Sequence, residues 1–405
     1  MLLIVCVGVF AMLPKLYNGA FVTSTFAFAI ASFLIFHFRI RPYWREILFV
    51  IVGGLVFVAI DVGVLGYPAK FMAILSLLGL ASFLTMAIEA VWAAPKERTP
   101  LLCVIVPALL FIVTGFVIPS ALAWTIKFRP RTFDLYLLSF DCSLRVQPSF
   151  VVGQAFARWP WLLSSGLVFY FSIAIPLAVV YVGRLVRFGS RAFSAMLAFL
   201  IASPIGILFY VLFPACGPRY LARGDFPWHP LPISMVPRLL LEPVGIDGPR
   251  NAMPSLHLAC VLLAWWYSRG LSWWERAIAF MFVAFTVLAT LGLGEHWLAD
   301  LIVAFPFALF IQAISDYSKS WASRERLTAA GFGLGAVLAW LAALRYGARF
   351  FWTSPVVPWA LAVGTIILVS IRQRKLDRTE NDAASRSEEN ERVSVTSSQM
   401  ISSVR

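Results

Sequence analysis

Long apolar runs, separated by short polar segments, follow one another along almost the whole chain. Many of these runs approach the roughly 20 residues that a helix needs to cross a bilayer. The pattern predicts about twelve membrane spans, at residues 2–13, 20–37, 47–66, 70–94, 100–126, 161–183, 191–214, 255–268, 276–293, 296–315, 328–345 and 354–371. The predicted fold class is therefore an all-α polytopic membrane protein. The opening run has no basic segment before it and no small-residue cleavage site, and is interpreted as the first span.

The composition agrees with this interpretation. Hydrophobic residues make up 60% of the chain and charged residues 13%, which excludes an ordinary soluble domain. The net charge of +13 is dispersed over short loops, so a nucleic-acid-binding surface is not expected. Arg and Lys gather in loops that would share one side of the membrane. The positive-inside rule makes that side cytoplasmic, with both termini inside and the two long loops, 127–160 and 215–254, outside.

The five cysteines show no spacing typical of a metal site. Cys142 and Cys216 fall in loops on the same predicted side, so a disulfide between them stays open. After residue 371 the chain becomes polar and rich in Ser and Glu, and this tail is predicted to be disordered.

Two polar stretches interrupt the apolar pattern. "RNAMPSLHLA", residues 250–259, contains His257, and "GLGEHWLAD", residues 292–300, contains His296 and Asp300. Polar side chains at membrane depth are costly and mark functional sites by default. His296 and Asp300 are four residues apart, so on a helix they share one face, and the carboxylate can orient the imidazole. Both histidines lie at the outer, N-terminal ends of predicted spans.

Two imidazoles, a carboxylate and nearby arginines form a set that can transfer a phosphoryl group without a metal ion. One imidazole attacks phosphorus, the other protonates the leaving oxygen, and the arginines Arg219 and Arg250 neutralise the phosphate oxygens. The alternative is a transporter in which the same His and Asp residues relay protons. A relay of that kind is expected nearer the membrane midplane than the outer helix ends.

The motifs resemble a known family. "MPSLH" and "HWLAD" resemble the second and third signature motifs of the PAP2 (type 2 phosphatidic acid phosphatase) superfamily, and "FPACGPRY", residues 213–220, takes the place of the first. "AMPSLH" and "RPRTFDLYLLSFDCSL", residues 129–144, are similar to the inositolphosphotransferase-type branch. The resemblance covers roughly residues 127–315. It leaves the first five predicted spans and the last two unexplained.

The resemblance implies a six-helix catalytic bundle with a defined set of site residues. It implies His296 as nucleophile, Asp300 as its orienting partner and His257 as general acid. It further implies that Arg219 and the segment Ser255–Leu256 contact the phosphate.

The sequence also departs from the family pattern. Ala289 and Thr290 stand where the third motif commonly has Ser-Arg, and Pro218 precedes Arg219 in the first motif. Part of the phosphate site is therefore expected from elsewhere, and Arg250 is the candidate. Glu295, beside His296, would either raise the proton affinity of the imidazole or repel an anionic substrate.

The prediction for the whole chain is a membrane-embedded lipid phosphatase or phosphotransferase that uses a phosphohistidine and needs neither metal nor cofactor. The expected substrate is a phospholipid, a sphingolipid or a polyprenyl phosphate, with inositol phosphate transfer as one form of the reaction. The expected location is a bacterial plasma membrane, with the site on the outer face. The predicted regions are 1–126 (about five N-terminal helices), 127–316 (catalytic), 317–371 (two further helices) and 372–405 (cytoplasmic tail).

Other polar residues are interpreted as structural or stay open. His37, Asp61 and Glu89 are placed at membrane interfaces, and His229 is taken as a structural residue of the outer loop. A second group would either bind a head group or cap and solvate an interfacial helix: Arg129, Arg131, Asp134 and Asp141.

Overall fold

A computed structural model of the chain describes residues 26–39, 44–64, 71–317 and 319–377. The predicted first span, 2–13, and most of the predicted tail lie outside the described residues. Within the described part the fold is all-α, as predicted. It contains one two-stranded antiparallel pair, β1 (Arg131–Thr132) with β2 (Val244–Gly245), in which Arg131 faces Gly245.

In the described part of the chain, four helices precede the candidate catalytic region. They are α1 (Ala27–Arg39), α2 (Trp44–Gly63), α3 (Phe71–Trp92) and α4 (Pro95–Phe128). The long helix α4 contains Pro100, Pro107 and Pro119, which transmembrane helices tolerate because neighbouring helices satisfy the freed carbonyls. It packs against α1, α3 and the later helix α9, so that the N-terminal helices join the catalytic region along its side.

Nine helices form the central region. They are α5 (Asp134–Ser143), α6 (Pro148–Arg158), α7 (Pro160–Phe171), α8 (Ala174–Phe188), α9 (Ala192–Leu212), α10 (Pro218–Ala222), α11 (Leu256–Tyr267), α12 (Trp273–Gly292) and α13 (Leu298–Ser315). Helix α11 packs against α8, α9, α12 and α13. Its central position brings the residues at its N-terminus close to those of α13.

The C-terminal part adds α14 (Arg324–Tyr346), α15 (Ala348–Phe351) and α16 (Val356–Asp377). Helix α14 packs along α13. The last helix is longer than predicted, since it continues to Asp377. The buried carboxylate of Asp377 pairs with Arg269 and accepts hydrogen bonds from Gln312 at 3.0 Å and Gln373 at 2.8 Å.

The helices identify an integral membrane protein. Among the described residues, eight helical segments are long and apolar enough to cross a bilayer. One of them, 174–212, contains α8 and α9 joined by a turn at Gly189–Arg191. Three shorter apolar helices are α1, α7 and α11. The predicted count of about twelve spans and the six-helix bundle are not confirmed by this set.

One predicted span is divided in two. Residues 161–183 form almost the whole of α7 and the first part of α8, with a break after Phe171. Pro176 lies in the first turn of α8, where a residue without an N–H group is tolerated because the first N–H groups of a helix have no partner within it. Continuous hydrophobicity cannot reveal such a break.

Candidate active site

His296 lies just before α13 and its side chain is almost completely buried, with 1% of the residue exposed. Its Nδ1 is 3.0 Å from the Ala252 carbonyl oxygen and 3.5 Å from Asp300 Oδ2. Its Nε2 is 3.2 Å from Ser255 Oγ. The Ser149 hydroxyl donates to the His296 carbonyl at 2.9 Å. Both the ring and the backbone of this residue are therefore held in place.

The contacts of the ring define its tautomer. A carbonyl oxygen can only accept a hydrogen bond, so the nitrogen facing Ala252 carries the proton. In a neutral imidazole the lone pair is then on Nε2. The distance to Asp300 exceeds that of an ordinary hydrogen bond, and the closest partner of Asp300 Oδ2 is the Trp297 N–H at 2.8 Å. The predicted orienting role of Asp300 is thus shared with a backbone carbonyl that the sequence analysis missed.

His257 is the second residue of α11 and lies in a different environment. Its ring stacks on that of Tyr170, with 4.0 Å between the ring centroids. The centroids of His257 and His296 are 6.4 Å apart, and their planes are inclined by 65°. Among the described residues no group makes a hydrogen bond to the ring nitrogens of His257. The two predicted catalytic histidines are therefore neighbours, and His257 keeps both nitrogens available.

Ser255 links the two histidines. It is the N-cap of α11, where its hydroxyl accepts from the Leu258 N–H at 3.4 Å while facing His296 Nε2. Its own N–H donates to the Asp300 carbonyl at 3.2 Å. A serine at this position satisfies a free N–H of the first helical turn. Ser255 therefore aligns the start of α11 with the start of α13.

Arg219 lies at the edge of the site, with 44% of its side chain exposed. It forms an ion pair with Glu295 at 2.7 Å and donates to the Tyr220 hydroxyl at 2.7 Å, and that hydroxyl donates to Glu295 at 3.3 Å. Burial, with Glu295 nearby, raises the pKa of Tyr220 to about 12, so the phenol stays protonated at neutral pH. Burial also raises the pKa of Glu295, and Arg219 opposes that rise.

Arg250 does not reach the site in the way predicted. Its side chain is buried, with 1% of the residue exposed. The guanidinium donates to the carbonyls of Arg129 at 2.9 Å, Pro130 at 2.7 Å and Ile246 at 2.9 Å, and also to that of Gly248. Four of its five N–H groups therefore donate to backbone oxygens. Arg250 connects the segment 129–130 to the segment 246–248, and this replaces the phosphate contact that was predicted.

Two glycines allow the loops of the site to cross at close range. Gly217 has a φ of +117°, and a Cβ there would lie 2.3 Å from the Glu295 carbonyl oxygen. Gly294 has a φ of +68°, and a Cβ there would meet the Arg219 side chain at 2.8 Å. The Arg219 N–H donates to the Gly294 carbonyl at 3.1 Å. Only glycine combines this backbone conformation with so close an approach.

Two carboxyl groups of α5 accept hydrogen bonds from the loop at Gly217 and from the start of α13. Asp134, which is fully buried, accepts from the N–H groups of Cys216 at 3.0 Å and Gly217 at 2.9 Å and from Trp297 Nε1 at 2.9 Å. Asp141 accepts from the N–H groups at the start of α13, those of Leu298 at 3.0 Å and Ala299 at 3.4 Å.

These carboxyl groups accept hydrogen bonds from backbone N–H groups, which favours the capping alternative over head-group binding for Asp134 and Asp141. Burial raises the pKa of Asp134, although its hydrogen-bond donors oppose the rise. Burial, together with the charge of Asp300, raises the pKa of Asp141 to about 8. Of the two arginines in the same stretch, Arg129 is exposed and donates to the Val211 carbonyl at 2.9 Å.

Several other predictions can be compared with the structure. His229 is exposed in the loop between α10 and α11, and its role stays a prediction. His37, in the last turn of α1, is buried and lies 3.3 Å from Glu89, and Asp61 is buried as well; the interfacial placement of these residues stays a prediction. Cys142 and Cys216 are buried free thiols, so they form no disulfide. Among the described residues no group of three His, Cys, Asp or Glu side chains could hold a metal ion.

A family model described as the PAP2 superfamily matches residues 135–314. The matched segment runs from α5 to α13 and contains both histidines, Asp300, Ser255 and Arg219. It covers less than half of the chain and leaves out α1–α4 and α14–α16. No curated protein and no solved structure matches the chain. The resemblance to this superfamily is thus confirmed over the segment, whereas the inositolphosphotransferase-type branch is not.

Proposed function

We propose that the protein is a membrane-embedded lipid phosphatase or phosphotransferase that works through a phosphohistidine at His296 and needs no metal ion. The family match supports a phosphatase-type activity, since this superfamily generally comprises phosphatases. The observation that carries the proposal is the arrangement of the two imidazoles. His296 has its Nδ1 proton held by acceptors, and the lone pair on its Nε2 faces only the hydroxyl of Ser255 among the described contacts; the ring of His257 lies 6.4 Å away, centroid to centroid.

The arrangement suits in-line displacement at phosphorus. His296 Nε2 attacks the phosphorus from one side, and the proton of His257 goes to the leaving oxygen on the other. The partners of Nδ1 stabilise the positive charge that develops on the His296 ring. Water or an alcohol then attacks the phosphohistidine, with His257 now taking its proton. The position of both histidines at helix N-termini also favours an anion and speaks against a proton relay near the midplane.

Arg219 and Ser255 are the proposed phosphate contacts. Arg219 is partly exposed and is paired with Glu295, so a phosphate would compete with that carboxylate for the guanidinium. Ser255 can turn its hydroxyl from His296 Nε2 to a phosphate oxygen once the nitrogen attacks. Glu295 then acts on the substrate through Arg219, an alternative to the two roles expected from the sequence.

One experiment tests both which lipid phosphate is the substrate and whether water or an alcohol accepts the phosphoryl group. Purified protein in detergent is given phospholipids, sphingolipid phosphates and polyprenyl phosphates, with and without inositol, and both free phosphate and transferred head group are measured. We expect phosphate release or transfer from at least one lipid class, unchanged by EDTA. The proposal fails if no lipid phosphate or phosphodiester is turned over, or if EDTA abolishes turnover and a divalent cation restores it.

A further inference from the structure

A cavity of about 190 Å³ opens beside the proposed general acid. His257 and Asn251 contribute to its lining, together with Ser203 and Tyr210 of α9. Ile118 and Leu122 of α4 line it as well. The cavity therefore extends from His257 to a helix that lies outside the segment matched by the PAP2 superfamily.

The position of this cavity relative to the reaction is informative. In an in-line displacement the nucleophile and the leaving group lie on opposite sides of the phosphorus. Because His296 is the proposed nucleophile and His257 protonates the leaving oxygen, the leaving group lies on the His257 side. His296 does not line the cavity, whereas His257 does. The space beyond His257 is thus placed to receive the group that leaves.

The lining of the cavity indicates which kind of group fits. Ile118 and Leu122 are four residues apart, so on α4 they present one apolar face. Beside His257 in the lining, Asn251 Oδ1 is buried and has no hydrogen-bond partner among the described residues, whereas both lining residues of α4 are apolar. A ligand that is polar next to its phosphoester oxygen and hydrocarbon beyond it matches this distribution. A sugar or inositol would instead bring hydroxyl groups against Ile118 and Leu122, where they could not be satisfied.

We propose that the cavity holds the lipid alcohol that leaves when His296 attacks phosphorus, and that α4 thereby selects lipid phosphates over water-soluble ones. The proposal rests on the proposed function. In the step it describes, a P–N bond forms to His296 Nε2 and the bond between phosphorus and the lipid oxygen breaks. The electron pair of that bond stays on the oxygen, which takes the proton of His257. The lipid departs as an alcohol, and the phosphoryl group stays on the enzyme.

The test uses straight-chain alkyl phosphates from methyl to dodecyl, which share one chemistry and differ in hydrocarbon length. In the wild-type protein we expect kcat/KM to rise with chain length until the cavity is full. The reason is that one more methylene in an apolar pocket raises kcat/KM by about tenfold. The Leu122→Trp substitution fills the cavity. We expect it to lower kcat/KM for dodecyl phosphate at least about tenfold and to leave methyl phosphate within about twofold.

Val117→Trp is the matched control, since this neighbour on α4 is 57% exposed and does not line the cavity. It should keep the wild-type dependence on chain length in the same detergent. If Leu122→Trp does not fold, Leu122→Ala is the test variant. Its lost contacts with the hydrocarbon should reduce the ratio of kcat/KM for dodecyl phosphate to kcat/KM for methyl phosphate about threefold or more.

The outcomes separate the two proposals. If the wild-type protein hydrolyses short and long alkyl phosphates alike, or if folded Leu122→Trp keeps the wild-type chain-length dependence, the leaving-group assignment is overturned while the proposed function stands. An equal loss on methyl and dodecyl phosphate in folded Leu122→Trp also overturns it. If the wild-type protein hydrolyses neither alkyl nor natural lipid phosphates, the proposed function itself fails.

Discussion

The two histidines of the site are held in contrasting ways. His296 is buried, its Nδ1 faces a backbone carbonyl and a carboxylate, and its own carbonyl accepts from Ser149. His257 only stacks on Tyr170 and faces a cavity. A nucleophile needs a single tautomer and a fixed direction of attack. A general acid must exchange protons with a departing group, so free nitrogens and adjacent space serve it better.

The contrast is tested most strongly at the nucleophile. His296→Asn removes the atom that forms the bond to phosphorus, so activity should fall at least roughly 10⁴-fold with every substrate. The measurement is kcat/KM for a lipid phosphate and for p-nitrophenyl phosphate. His229→Asn, at an exposed histidine, is the control and should retain wild-type activity. Substantial activity in folded His296→Asn would mean that another group attacks.

His257→Asn should give a loss that depends on the leaving group. With an alkyl phosphate, whose oxygen must be protonated as it departs, we expect kcat/KM to fall about 10²–10⁴-fold. With p-nitrophenyl phosphate, whose leaving group is stable as an anion, the loss should be clearly smaller. Equal losses on both substrates would contradict the role of general acid.

Asp300→Asn should have a smaller effect than in a site where a carboxylate alone fixes the histidine tautomer. In a Ser-His-Asp triad, an Asp→Asn substitution lowers kcat about 10⁴-fold, because the histidine can then adopt the wrong tautomer. Here the Ala252 carbonyl still holds the Nδ1 proton, so we expect a loss of roughly 10–100-fold in kcat. A loss as large as that of His296→Asn would show that the carbonyl does not fix the ring.

The smallest expected effect is a change in the pH dependence of stability caused by Asp141, which holds the start of α13 next to His296. The pKa of Asp141 is raised by burial from its ordinary value of 3.8 to about 8. Its contribution to stability is then complete below about pH 4 and is lost as the pH rises through 8. The melting temperature of the wild-type protein should therefore fall relative to that of Asp141→Asn between pH 5 and 9, as followed by thermal unfolding in detergent. A difference that stays constant, or that grows in favour of the wild type, would contradict the raised pKa.

The sequence predicted the parts of the site that are carried by side chains in local motifs. The four-residue spacing of His296 and Asp300 and the Pro-Ser-Leu-His segment identified residues that the fold brings together. Arg250 was assigned to phosphate from its residue type and its place close before His257, but four backbone carbonyls hold its guanidinium, two of them, those of Arg129 and Pro130, far away along the chain. The Ala252 carbonyl has no signature in a sequence at all, because every residue carries one.

The sequence of α5 contains a feature that is compatible with its anchoring role but also with head-group binding. Asp134 and Asp141 are seven residues apart, which places them on one face of a helix two turns apart. Two acidic residues on the same face of an otherwise apolar helix indicate buried acceptors as well as a head-group site. Their partners, Gly217 and Leu298, are far away along the chain, so local sequence could not decide between the two.

The central claim is that His296 becomes phosphorylated during turnover. The direct measurement is to mix the purified protein with a ³²P-labelled lipid phosphate, stop the reaction rapidly with alkali and locate the label by peptide mapping. The account predicts an alkali-stable, acid-labile phosphoryl group on the peptide that contains His296, absent in His296→Asn and present in His229→Asn. Label on another residue, or rapid turnover without any labelled protein, would contradict it.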